Sequence, residues 1–221
     1  DPAILLHLCR LGIPTGLQMS MITLGGMVLQ SVLNGFGVVF VAGYTAANKL
    51  YGILESASVA FGYAMTAYMG QNRGARNAAR IDAGIRAVLV LSAEFTAAIV
   101  TAMLVAGKPL LGLFLSTEEA GAADALAVAY QYLMVLMAFL FALFMLQAYR
   151  SSLQGLGEMT VPTLSGFAEM LMRMGAALVL PTFIGQSGVF FAEGAAWVCA
   201  AALNLVWYYM RIGKIKREML K

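Results

Sequence analysis

Charge is the scarcest property of this 221-residue sequence: Asp, Glu, Lys and Arg make up 11% of it, whereas 61% is hydrophobic. Soluble domains carry about 25% charged and about 45–50% apolar residues, so the shortage excludes an ordinary water-soluble fold. Histidine occurs once, as His7, and cysteine twice, as Cys9 and Cys199. Two thiols so far apart in apolar surroundings, without metal-ligand spacing, predict unpaired cysteines and no metal site. The phosphate-cradling GxxxxGK[ST], the zinc-binding HExxH and the GxSxG nucleophile elbow are all missing. With no cluster of acid, base and nucleophile, the sequence predicts no enzyme. Aromatic residues interleaved with basic ones, which a nucleic-acid reader needs, are also missing, and the net charge is only +3.

What the sequence does have is length of apolar run. A helix needs roughly 20 apolar residues to cross the hydrocarbon core, and six stretches qualify, near 14–36, 43–70, 84–107, 125–149, 160–183 and 189–210. They are rich in Ala, Leu, Met and Gly and do not alternate with period two, which excludes a transmembrane barrel. The expected fold is all-α, a polytopic bundle of six membrane helices. The sequence opens at Asp1 with "DPAILLHLCRLGIP", which enters midway through a pattern and reads as part of something longer. The 15 methionines suit irregular helix interfaces and adaptable cavities alike.

Basic residues accumulate in loops that stay cytoplasmic. Arg10 precedes the first stretch; Arg73, Arg76, Arg80 and Arg86 separate the second from the third; Arg150 follows the fourth; and Arg211, Lys214, Lys216, Arg217 and Lys221 follow the sixth. The opposite side has Lys108 alone, with Glu118, Glu119 and Asp124. The bias predicts a multi-pass protein of the cell (inner or plasma) membrane with both ends of this chain cytoplasmic. In "YAMTAYMGQNRGARNAAR", glycines permit the turn out of the bilayer and arginines meet anionic headgroups.

Charges inside the spans are costly and should face protein or water. On the second stretch Asn48, Tyr51, Glu55, Ser58, Gly62 and Thr66 fall on one helical face, with Lys49 at its border. Glu55 is the leading candidate for an ion or proton site, because protonation or cation binding there can be coupled to a conformational change. The competing role is a buried acid that merely locks helices together. On the fifth stretch Glu169 and Arg173 stand four apart, beside Pro162 and Ser165, and predict an internal ion pair with a possible contact to substrate. Ser20, Thr23, Gln30 and Asn34 share a face of the first stretch, where Gly25 and Gly26 would admit a neighbouring backbone. Gln147, Tyr149 and Arg150 end the fourth. Glu94 and Glu193 are expected nearer the interfaces. The candidate substrate and ion pathway is therefore Asn48, Tyr51, Glu55, Gln147, Glu169 and Arg173.

Several strings, taken in order, resemble a known family. "LGIPTGLQMSMITLGGMVLQSVLNGFG", "VAGYTAANKLYGILE", "GQNRGA" and "YRSSLQGLGEMTVP" are similar to the second half of multidrug and toxic compound extrusion (MATE) transporters, over residues 10–210. The resemblance implies one six-helix lobe of a pseudo-two-fold twelve-helix transporter, whose partners are the bilayer, an N-terminal lobe absent from this sequence and small cationic or amphipathic substrates. It implies export by alternating access in exchange for Na+ or H+, with no other cofactor. Some branches of the family carry a glutamate in the first helix of this lobe and an aspartate in its fourth. Here "LQMSMITL" and "FLFALFMLQ" contain neither, so those ligands do not carry over. The alternatives are a lipid-linked oligosaccharide flippase of the same superfamily, which would want a more cationic cavity than Lys49 and Arg173 provide, and a non-transporting membrane subunit or truncated half.

Overall fold

A computed structural model describes residues 2–115 and 121–219; Glu118, Glu119 and Lys221, and the side chain of His7, lie outside what it describes. Six long helices account for the architecture: α1 (Pro2–Leu33), α2 (Val38–Gly74), α3 (Ala78–Gly112), α4 (Ala122–Gly155), α5 (Thr160–Ile184) and α6 (Phe191–Met219). Short 3₁₀ turns, Asn34–Phe36 and Gln186–Phe190, precede α2 and α6, and no strand occurs among the described residues. Most helices extend well past the apolar stretches read from sequence. The turns added at the ends of α2 and α6 are polar and amphipathic, "QNRG" and "RIGKIKREM".

Five of the six are long and apolar enough to cross a membrane; α2 is the exception. Its shortfall follows from composition, since Asn48, Lys49, Glu55 and several tyrosines interrupt an otherwise apolar run. Large exposed side chains such as Ile13, Val38, Val105 and Phe183 stud the outside of the bundle. A soluble protein rarely exposes so much contiguous apolar surface, whereas lipid tails accept it.

Helix α4 is the centre of the bundle. Its most extensive packing is against α2, and it also meets α3 and α6, while α5 packs on α6 and on α1. Small residues set the close crossings. A Cβ on Gly155 would collide with the Thr66 backbone carbonyl, and one on Gly43 with the Ala125 carbonyl, so these two glycines let α2 and α4 approach. Gly25 allows the same approach of α1 to Met170 of α5, but its neighbour Gly26 faces open space. An aromatic column fills one end of the bundle: Phe40 stacks on Phe190, Tyr44 on Tyr132 at 4.4 Å, and Tyr51 on Trp197 at 5.5 Å. The Tyr132 hydroxyl donates to the Tyr44 oxygen at 3.1 Å, which satisfies polar groups that burial would otherwise leave orphaned.

At the other end, the turn between α2 and α3 uses the residues its sequence advertises. Asn77 caps α3 by accepting from the Arg80 amide at 3.1 Å, Arg76 takes φ of 54°, and the Arg73 guanidinium donates to the Leu156 carbonyl at the end of α4.

Candidate functional site: a polar cavity beside a buried ion network

Helix α1 leans on α5 and makes little direct packing with α2 or α4. The space left between the α1–α5 pair and the α2–α4 pair is a cavity of about 390 Å³, closed at its base by Trp197 of α6. Each wall is one helical face. Helix α2 presents Glu55, Val59, Tyr63 and Thr66; helix α4 presents Leu143, Gln147, Arg150, Ser151 and Gln154. Both sets follow the i, i+4, i+7/i+8, i+11 spacing of a single stripe. Thr15, Gln18 and Ile22 of α1, with Glu169 and Arg173 of α5, complete the enclosure.

A chain of ion pairs runs along one side. Arg150 Nη2 donates to Glu169 Oε2 at 2.5 Å, Arg173 Nη2 to Glu169 Oε1 at 3.1 Å, and Arg173 Nη2 also lies 2.8 Å from Glu193 Oε2. Arg173 Nη1 reaches the Ile22 carbonyl of α1 at 3.0 Å. Arg150, Glu169 and Arg173 are each no more than 5% exposed. Isolated charges at that depth would be prohibitive, so two guanidiniums and two carboxylates that alternate in sign neutralise one another. The network ties α4, α5 and α6 together and anchors α1 through its backbone.

Glu55 stands apart from this neutral set. It is half-buried, lines the cavity and forms no ion pair among the described residues. Taken with the network, it leaves the site with one carboxylate in excess, an arrangement that attracts a cation into a low-dielectric enclosure.

Of the six residues expected along a pathway, the structure brings Glu55, Gln147, Glu169 and Arg173 together around this cavity. Asn48 and Tyr51 do not join them. Asn48 lies on an exposed part of α2, two turns beyond Glu55, and Tyr51 is buried in the aromatic column against Trp197. Both share the polar angle of α2; displacement along the axis takes Asn48 away from the cavity, whereas Tyr51, one turn from Glu55, stands behind Trp197 at its base. The polar face expected on α1 also points elsewhere. Ser20 and Thr23 are exposed and donate to the carbonyls of Gly16 and Met19, and Gln30 donates to Asn34 at 3.0 Å. The face of α1 that meets the cavity is the one bearing Thr15 and Gln18.

Two network members were misplaced by sequence reasoning. Arg150 was expected in a loop as a topological anchor, yet α4 continues to Gly155 and carries it inside. Its membership of the Gln147, Ser151, Gln154 stripe was the available signal. Glu193 reads as interfacial in the sequence, but the turn Gln186–Phe190 precedes α6 and this carboxylate meets Arg173. Glu94, also expected near an interface, sits at the middle of α3 on an exposed face away from the cavity. Cys9 and Cys199 are free, and among the described residues no group of His, Cys, Asp and Glu forms a metal-binding cluster.

The family description MatE matches residues 14–179. The probable multidrug resistance protein YpnP of Bacillus subtilis (strain 168) is 30% identical over 215 residues, covering 96% of this chain and 46% of that protein. The probable multidrug resistance protein YoeA of the same organism is 26% identical over 221 residues, covering 98% of this chain and 46% of its own length. The chain thus spans about half the length of the curated relatives it matches. In fold, it is similar to a crystal structure of MATE in complex with MaL6, with a TM-score of 0.88 at 21% sequence identity, over 98% of this chain and 49% of that one.

Proposed function

The chain belongs to the MatE family, and from that premise we propose that it forms the C-terminal lobe of a secondary active multidrug exporter, whose other lobe is a second bundle of similar size. It is a multi-pass membrane transporter, not an enzyme. In this reading the cavity walled by α1, α2, α4 and α5 is this lobe's share of a compartment that opens alternately to either side of the membrane. Both ends of the chain face the cytoplasm, in keeping with the basic residues gathered at that side.

The observation that carries the proposal is the unpaired carboxylate of Glu55 beside a charge-balanced network. An organic cation and a coupling Na+ or H+ compete for that one negative charge, so occupancy by either excludes the other. This is the minimal requirement for exchange, since a ligand shifts a conformational equilibrium only through differential affinity for its two states. A lipid-linked oligosaccharide flippase would need unmatched cations to meet a pyrophosphate, and the two guanidiniums at this cavity are already matched by Glu169 and Glu193.

The test uses the full-length protein in proteoliposomes, with uptake of a fluorescent organic cation followed under imposed proton and sodium gradients. Uptake should depend on one of the two gradients, and Glu55→Gln should lower gradient-driven uptake at least tenfold, whereas Glu94→Gln on the outer face of α3 should leave it unchanged. Gradient-independent uptake would refute the exporter reading. Full coupling in Glu55→Gln would refute the assignment of the site.

A further inference from the structure

The cavity contains more hydrogen-bond donors than the ion network uses. Gln18 of α1 is 1% exposed and lines the cavity, and its Oε1 accepts from Gln154 Nε2 at 3.0 Å. Its own Nε2 has no partner among the described residues. The Nε atoms of Arg150 and Arg173, on the same wall, are likewise buried and unpartnered. Guanidinium nitrogens only donate, so what these groups lack is an acceptor. A buried polar group left unsatisfied is costly, which favours a ligand atom able to fill the role.

The fold makes specific room for Gln18. A Cβ on Gly166 of α5 would come within 2.6 Å of Gln18 Cγ, so a side chain at that position would drive the amide from its place. Gln154 then fixes its orientation from the opposite wall. The amide is therefore held at the cavity wall by two other helices, with its Nε2 buried there.

We propose that the Gln18–Gln154 amide pair is a substrate subsite that donates to an acceptor oxygen, a carbonyl or carboxylate carried by the transported cation. The inference rests on the exporter reading above and refines it: Glu55 supplies attraction for positive charge, and Gln18 distinguishes cations that carry an acceptor from those that do not. A preferred ligand is then an amphipathic cation that also carries a carbonyl or carboxylate oxygen. A site built to bond a substrate oxygen discriminates against an analogue that lacks it, because the donor is then left buried and unpaired.

The matched probes are N-phenacylpyridinium and N-phenethylpyridinium, cations of similar shape that differ by a carbonyl in place of a methylene. Each is titrated against radiolabelled tetraphenylphosphonium bound to the purified full-length protein. Wild type should bind the phenacyl compound about tenfold more tightly. Gln18→Met, which keeps length and removes the amide, should abolish that preference, and Gln154→Met should reduce it in part. Equal binding of the two probes by wild type, or a preference that survives in Gln18→Met, would overturn the subsite and leave the exporter intact. Failure of wild type to bind tetraphenylphosphonium at all would instead overturn the exporter reading on which the subsite rests.

Discussion

Replacing Glu169 by Gln removes the one carboxylate that touches both guanidiniums of the ion network. The consequences for the two arginines differ. Among the described residues Arg150 has no other carboxylate, whereas Arg173 keeps Glu193 at 2.8 Å and the Ile22 carbonyl at 3.0 Å. Removing one partner from a buried pair costs about 3–5 kcal/mol, because the survivor is left charged and unmatched. For Glu193→Gln the loss is smaller, about 1.5–3 kcal/mol, comparable to one charge-assisted hydrogen bond, since Arg173 still holds Glu169. Arg150→Met introduced into Glu169→Gln removes the stranded cation and should restore a large part of the stability. The assay is the apparent melting temperature of the purified full-length protein, read from the surviving size-exclusion peak after heating. At about 1–2 °C per kcal/mol for a protein of roughly twice this length, Glu169→Gln should fall by roughly 3 °C or more, Glu193→Gln by less, and the double variant should lie between Glu169→Gln and wild type. If the double variant were no more stable than Glu169→Gln, or Glu193→Gln fell as far as Glu169→Gln, the charge-balance argument would be wrong.

Three further substitutions probe the architecture. Gly155→Ala places a methyl group against the Thr66 carbonyl, a backbone atom that cannot step aside, so it should cost about 1–3 kcal/mol in the same melting assay; Gly26→Ala, with nothing nearby, should be neutral or slightly stabilising. Asn77→Ala removes the cap of α3 and should cost about 1 kcal/mol, seen as faster hydrogen exchange at the Arg80 and Ile81 amides than in wild type.

The sequence was most legible where information is local. The shortage of charge and the apolar runs point to a helical membrane bundle, and the four-residue spacing of Glu169 and Arg173 predicts their contact on one helix face. It was least legible where helices meet. Nothing along the chain links Arg150 to Glu169 or Glu193 to Arg173, because those contacts depend on how α4 and α6 are rotated against α5. The rule that arginines near span ends anchor topology actively misplaced Arg150, since α4 runs past the expected end at residue 149 to Gly155. Asn48 illustrates a different limit: periodicity gives the angle around α2 but not the depth at which the cavity begins. Gln18 passed unnoticed because an isolated amide in an apolar run carries no pattern. Its role comes from Gly166 and Gln154, on two other helices.

The claim on which the account turns is that the α2–α4 wall faces a compartment that holds the transported cation, and single-cysteine protection tests it directly. With Cys9 and Cys199 replaced, Val59→Cys on the cavity wall is exposed to a cationic methanethiosulfonate in the full-length protein, with and without tetraphenylphosphonium, beside Ala87→Cys on the exposed side of α3. The account predicts that Val59→Cys reacts and is slowed at least fivefold by the cation, while modification of Ala87→Cys is unaffected. Reaction at Val59→Cys that proceeds at the same rate with and without tetraphenylphosphonium would contradict it.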